Sequence, residues 1–335
     1  MTDKPSVLVD PHFRRMDEIF SPDDRERLDR TVEVIWGRDE PMPVHEATDA
    51  LSSARAVICS GWRYGPVPSG LRAIIDVSGA FPSGLDYQSC FARGIRVLSA
   101  APAFGPQVAE MALGLALAVG REIVDGDAAM RAGAEKWLHA GNETTVQLYE
   151  QPVGMIGYGS LARSLRPLLA PFRCSLSAYD PWLSDGFLRS QGVQPLTLPE
   201  LLNSSQVIFV LASPTMENGA LLSREMLEQI RPGSTLILIS RAHVVDFDAL
   251  TDLLLSGRFR AGIDVFPDEP LAADHPIRSA PGTVLSAHRA GSVKEGLWEI
   301  GRMVIDDLEA IAADLPPQRL QQAQPELINR LVQHR

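Results

Sequence analysis

Cysteine is scarce in this chain: Cys59, Cys90 and Cys174 among 335 residues. An odd number at wide spacing forms neither a disulfide framework nor a zinc ligand set, so the expectation is a reducing, cytoplasmic home and no metal. Cations are outnumbered, with 31 Lys and Arg against 42 Asp and Glu and a net charge of −11. A phosphate-backbone surface needs clustered Lys and Arg, which argues against nucleic acid as a partner. Long apolar runs are also missing. The opening MTDKPSVLVDPHFRRMDE has no signal-peptide core, and VAEMALGLALAVG (108–120) contains Glu110 and falls short of the roughly 20 residues a bilayer needs. No membrane partner is expected.

What is present is the material of a soluble α/β protein, 45% hydrophobic and 22% charged. A length of 335 residues fits two domains at a soft prior of about 150 each. SVLVD, VEVIW, AVICS, AIIDVS and IRVLSA are short continuous apolar runs, which read as parallel strands buried on both faces. A helix is predicted over 106–124, followed by a polar, weakly patterned segment to about 150. A second series then runs through VGMIGYG, LSAYD, VIFVLAS, TLILIS, RAGIDVF and TVLSAH. A last helix is predicted over 293–312, with a polar, glutamine-rich tail behind it.

In VGMIGYGSLARSLRPLL a strand runs through Gly157, Tyr158, Gly159, Ser160, Leu161 and Ala162 into a helical pattern. That order permits a tight turn, close backbone approach to a pyrophosphate, and an anion over the helix N-terminus. A structural turn would look the same if the motif stood alone. Asp180, however, ends the next strand 21 residues after Gly159, near the spacing of about 20 for an acid that bonds the adenosine ribose. Its charge disfavours a 2′-phosphate, so NAD is expected as the cofactor.

The stretch DVFPDEPLAADHPIRSAPGTVLSAHRAG (264–291) holds acids and two histidines among prolines. Taken alone it is either a turn-rich loop or part of an active site.

From about residue 70 to 312 the chain resembles the D-2-hydroxyacid dehydrogenase family, through LDYQSCFARGIRVLSAAP, VAEMALGLALA, QLYEQPVGMIGYGSLA, SAYDP, ISRAHVVDFDAL, GIDVFPDEPL and SAHRAG in order. The resemblance implies two flavodoxin-like or Rossmann-like doubly wound parallel-sheet domains with a cleft between them. A substrate domain of 1–103 and 297–335 would hold an NAD domain of 104–296, crossing at the two long helices. It implies Arg241, Glu269 and His288 as catalytic residues. It further implies cofactor contacts at Gly157, Gly159, Ser160, Leu161, Asp180, Ala212, Ile239, Arg241, Asp264 and His288, with Asp264 near the nicotinamide. The substrate loop would be Gly79, Ala80 and Phe81, assisted by Arg241 and His288. A homodimer through the NAD domain, using 106–124 and 126–150, is also implied.

The chemistry suits these residue types. Hydride transfer to a 2-oxo acid builds charge on the carbonyl oxygen, so a general acid is needed, and imidazole as a class titrates near neutrality. A carboxylate partner stabilises the imidazolium, and an arginine grips a planar carboxylate with two parallel bonds. The expected activity is NAD-dependent interconversion of a small 2-oxo acid, such as glyoxylate or hydroxypyruvate, and its D-2-hydroxy acid. The alternative is an NAD-sensing, corepressor-like binding protein of the same fold, against which the complete Arg, Glu and His set and the short termini both speak.

Several positions depart from the family pattern or leave two readings open. Phe81 stands where a second glycine is common, and Pro82 has no amide to donate, so Phe81 is a candidate for shaping the substrate pocket. Leu211-Ala212-Ser213-Pro214-Thr215 and Leu238-Ile239-Ser240-Arg241 replace the usual strand-end patterns. His243 replaces a glycine, and Arg63, after Trp62, is a candidate for a second anionic group, an exposed surface position being the alternative for each. His275 reads as a structural turn, and His12, His45, His139 and His334 lack any constellation.

Overall fold

The computed structural model describes residues 4–213, 215 and 219–330. The chain divides into two compact units, Met1–Phe104 with Gly291–Arg335, and Gly105–Ala290. In chain order the strands are β1 Ser6–Asp10, β2 Glu33–Trp36, β3 Ala56–Cys59, β4 Ala73–Asp76 and β5 Arg96–Ser99. They continue with β6 Pro152–Ile156, β7 Ser175–Tyr179, β8 Gln194–Pro195, β9 Val207–Val210, β10 Thr235–Leu238, β11 Arg260–Ile263, β12 Thr283–Leu285 and β13 Gln321–Gln322.

The first unit has a six-stranded sheet in the order β13-β5-β4-β3-β1-β2, parallel except for β13, which runs antiparallel to β5. Its five parallel strands follow the flavodoxin-like order. One face buries Val7, Val9, Ile58, Ile75 and Leu98 beneath helix Lys294–Ala312. That helix presents Leu297, Ile300, Val304, Leu308 and Ile311 at three- and four-residue steps, which is why a segment from the far end of the chain belongs to this unit. Each such burial stabilises by about 1.5–3 kcal/mol. The other face buries Leu8, Val57, Ile74 and Val97 against helices Val44–Ser53 and Tyr87–Ala92.

The second unit has a seven-stranded, all-parallel sheet in the order β12-β11-β10-β9-β6-β7-β8. Counted from β6 this is the dinucleotide-fold order 3-2-1-4-5-6 with β12 added at one edge, and the strand order reverses between β6 and β9. Helix Gly105–Gly120 packs on helix Ser160–Leu169 and on β10 and β11, burying Val108, Ala112, Leu115 and Val119. With the turn before it, Ala101–Gly120 is long and apolar enough to cross a membrane by composition, yet most of that window is buried in the protein, as in a core helix.

The helix predicted over 106–124 is in fact two. Glu122 is in the left-handed region at φ +51°, and a second helix, Ile123–Ala132, begins after it. The Val146 amide donates to the Gly120 carbonyl at 2.7 Å, which closes off the first helix. The second buries no residue, so no apolar periodicity announces it.

Candidate active site

At the β6 end of the second sheet, Gly157 turns at φ +88°, and a Cβ there would lie 2.7 Å from the Cα of Ala212, just past the end of β9. Glycine is therefore required by both backbone conformation and packing. Gly159 differs, since a Cβ there would meet nothing within 4 Å. The space beside it lies over the first turn of helix Ser160–Leu169, whose N-cap makes no side-chain bond. The leading amides of that turn, from Ser160 and Leu161 onward, have no intrahelical partner. A pyrophosphate fits such a cradle.

Asp180 is fixed beside this turn. Its Oδ2 accepts from the Tyr158 amide at 2.8 Å and its Oδ1 from the Trp182 amide at 2.9 Å. Each oxygen keeps a lone pair for a ribose hydroxyl. These residues fit a dinucleotide on geometry alone.

The second cluster lies past β10, β11 and β12. His288 Nδ1 and Glu269 Oε2 are 2.6 Å apart, and Glu269 Oε1 accepts from the Phe266 amide at 3.0 Å. His288 sits at φ +49°, an uncommon conformation for a residue with a Cβ. It is held there by Asp264, a fully buried acid. The His288 amide donates to the Asp264 carbonyl at 2.8 Å, while the Arg289 and Ala290 amides donate to its two carboxylate oxygens at 3.0 and 3.1 Å. Asp264, expected near the nicotinamide, is thus seen fastening the turn that carries the histidine.

Arg241 follows buried Ile239 and Ser240 at the end of β10. Its Nη1 donates to the Ser240 carbonyl at 2.8 Å, and it forms no ion pair among the described residues. Burial pulls its pKa below the ordinary guanidinium value, partly countered by the charge of Glu269. A half-buried cation with open donors is a receptor for an anion.

In the first unit the loop after β4 carries Gly79, Ala80 and Phe81. Gly79 is at φ +91°, and a Cβ there would lie 2.7 Å from the Phe104 ring. The Ala80 amide donates to Ser78 Oγ at 3.2 Å. Of the three amides, those of Gly79 and Phe81 donate to no group among the described residues.

Residues 113–290, more than half of the chain, match the family described as D-isomer specific 2-hydroxyacid dehydrogenase, NAD binding domain. The chain belongs to this family. A phosphoglycerate oxidoreductase from Rhizobium etli, known as a crystal structure, is 36% identical with a TM-score of 0.86, covering 96% of this chain and 99% of its own. D-3-phosphoglycerate dehydrogenase of Mycobacterium bovis is 29% identical over 292 residues, 85% of this chain and 54% of the relative. The chain spans about half the length of such curated relatives. Hydroxypyruvate reductase of Thermotoga maritima is 27% identical over 239 residues, 70% of this chain and 76% of the relative.

The remaining residues singled out from the sequence fall as follows. His275 Nδ1 accepts from the Ile277 amide at 3.3 Å and its ring meets Phe247 edge-on, a structural turn. The side chain of His243 is exposed, and its carbonyl accepts from the Ala220 amide at 3.1 Å. Arg63 is tied through Nη2 to Asp10 and, at 2.7 Å, to the Met42 carbonyl. His12, His45 and His139 are exposed, while Pro214 and His334 lie outside the described residues. Sequence reasoning missed Ser78 and Asp76, whose only local signal is an acid at the end of an apolar strand.

Proposed function

We propose that this chain is an NAD-dependent oxidoreductase that interconverts a small 2-oxo acid and its D-2-hydroxy acid. The observation that carries the proposal is the His288 and Glu269 pair at 2.6 Å, in the same unit as an arginine that has no ion-pair partner among the described residues. Arg241 binds the substrate carboxylate and orients the neighbouring carbonyl. His288, with Glu269 on Nδ1, presents Nε2 as the atom that gives a proton to the carbonyl oxygen in reduction and takes it back in oxidation. Glu269 stabilises the imidazolium and fixes the ring, and Asp264 fixes the backbone beneath it.

Gly157, Gly159, Ser160, Leu161 and Asp180 hold the dinucleotide, with Ala212, Ile239, Arg241, Asp264 and His288 as further contacts. When bound it supplies the hydride. Asp180 favours NAD over NADP. The free amides of Gly79 and Phe81 suit a carboxylate, and Phe81 shapes selection of the acid's side chain. Relatives named glyoxylate reductase, hydroxypyruvate reductase and D-3-phosphoglycerate dehydrogenase support trying glyoxylate, hydroxypyruvate and the 2-oxo acid that oxidation of D-3-phosphoglycerate at its C2 hydroxyl would give.

A homodimer through the second unit is part of the proposal. Ile123, Val124, Met130, Trp137 and Leu138 are all at least half exposed within one segment, the kind of patch that marks an association surface. The three free cysteines support a reducing, cytoplasmic setting.

The test is loss of NADH absorbance with each of these acids, with NADPH in parallel and His288→Ala as control. Turnover that disappears in the variant supports the reading. Tight NADH binding with no acid reduced would sink it.

A further inference from the structure

The first unit carries a polar row with no part in the chemistry above. Asp10, Cys59, Asp76 and Ser99 end β1, β3, β4 and β5 and are register partners across four neighbouring strands, so their side chains leave the sheet on one face. Asp76 is 1% exposed, and a buried carboxylate must have its lost water replaced by donors. Among the described residues its donors come from the loops after β3 and β4. Oδ1 accepts from the Ser78 amide at 2.7 Å and the Ser78 hydroxyl at 2.5 Å, and Oδ2 accepts from the Gly61 amide at 2.8 Å. Ser78 Oγ, its proton spent on Asp76, accepts from the Ala80 amide at 3.2 Å. The same two loops are joined again where the Trp62 amide donates to the Ser83 carbonyl at 3.0 Å.

This relay uses the middle amide of the Gly79–Phe81 loop and leaves the amides on either side of it open. We infer that Asp76, acting through Ser78, is a positioning residue for substrate binding: it fixes the loop backbone so that the Gly79 and Phe81 amides are held ready for the carboxylate of a 2-oxo acid. The inference rests on the functional reading above. An ionised carboxylate is the one side chain of this size that offers acceptors on both ends to three donors at once. In Asp76→Asn one end becomes a donor facing a donor, and in Ser78→Ala the relay to Ala80 is cut.

The experiment compares Asp76→Asn, Ser78→Ala and Ser78→Thr with Asp307→Asn, a control that perturbs another buried carboxylate of the same unit, one bonded to the amides of Gln318, Arg319 and Leu320. Kinetics are measured with NADH and glyoxylate, oxamate binding by calorimetry in the presence of NADH, and NADH affinity by fluorescence. In Asp76→Asn and Ser78→Ala, KM for glyoxylate and Kd for oxamate should rise about tenfold or more, the size of one or two lost hydrogen bonds. Their kcat should stay within about twofold and NADH affinity should hold. Ser78→Thr, which keeps the hydroxyl, should restore both constants, and Asp307→Asn should lower Tm without moving either. If Asp76→Asn fails to fold, Ser78→Ala carries the test.

The inference is overturned if the folded variants bind oxamate as the parent does, if the parent does not bind oxamate, or if Asp307→Asn gives the same rise in KM. Oxamate binding that weakens in the variants of a chain that reduces no acid would remove the functional reading and leave the positioning role standing. Turnover with both constants unmoved would do the reverse.

Discussion

His288 Nδ1 lies 2.6 Å from Glu269 Oε2, while the backbone under His288 is fastened separately by Asp264. Ring and backbone thus have different anchors, which can be removed one at a time. Glu269→Gln keeps the shape and loses the charge that stabilises an imidazolium, so kcat should fall about a hundredfold with NADH affinity unchanged. His288→Ala should fall further, toward about a thousandfold, within the range of general acid catalysis. Steady-state rates with NADH check both, and a Glu269→Gln variant within twofold of the parent would remove the glutamate from the chemistry.

Asp180 has its carboxylate held by the Tyr158 and Trp182 amides, so its charge stands at a fixed point beside the glycine turn. Asp180→Asn should weaken NADH binding about tenfold and improve NADPH relative to NADH by at least as much, since a charged hydrogen bond is lost and a repulsion relieved. Fluorescence titration with both nucleotides measures the ratio. An unchanged ratio would mean that Asp180 does not discriminate at the 2′ position.

Much of this fold is legible in the sequence. The apolar runs of β1 to β7 and β9 to β12 announce strands because short Val- and Ile-rich runs suit a parallel sheet, whose inner strands are buried on both faces. Strands β8 and β13 are two-residue edge strands with the sequences QP and QQ, too short and polar to carry a pattern. Helix Ile123–Ala132 carries no signal for the opposite reason: none of its residues is buried among the described residues. Gly157, Gly159 and Asp180 were legible by spacing, whereas Arg241, Glu269 and His288 acquired meaning only from a resemblance, since their pairing spans loops that sequence distance does not relate. Asp76 was unreadable because its donors, from Gly61 and Ser78, converge only once β3 and β4 lie side by side.

The cysteines give a test of burial. Cys59 is driven well above the usual thiol range by burial and by its neighbours Asp76 and Asp10, and burial also raises Cys90 and Cys174. Only Cys174 is not fully buried. Since the thiolate is the reactive form, the native protein at pH 8 should release one thiol's worth of colour from an aromatic disulfide reagent, slowly, and all three in denaturant. Cys174→Ser should abolish the native reaction. Rapid labelling of two thiols would show that the first unit opens readily.

Arg27 ties helix Pro22–Thr31 to helix Lys294–Ala312, donating to Glu309 from Nε at 3.1 Å and Nη2 at 2.6 Å, and to Asp306 from Nη1 at 2.7 Å. The hydrogen bond from Arg27 holds the Glu309 carboxyl below its ordinary 4.5, against the opposing effect of burial. An acid whose pKa is lowered by folding contributes stability that is present above its unfolded value and lost as pH falls through the folded one. With the Glu309 side chain 44% exposed, solvent screening limits the contribution to less than about 1 kcal/mol. Glu309→Gln should therefore lower the first unit's Tm by about 1–3 °C at pH 7, with the gap closing as the pH falls below the carboxyl's ordinary 4.5 and the parent takes up its proton. Thermal melts of parent and variant from pH 7 down to pH 3 measure this. A gap that persists unchanged at pH 3 would mean that the pair acts through packing of the arginine stem rather than through charge.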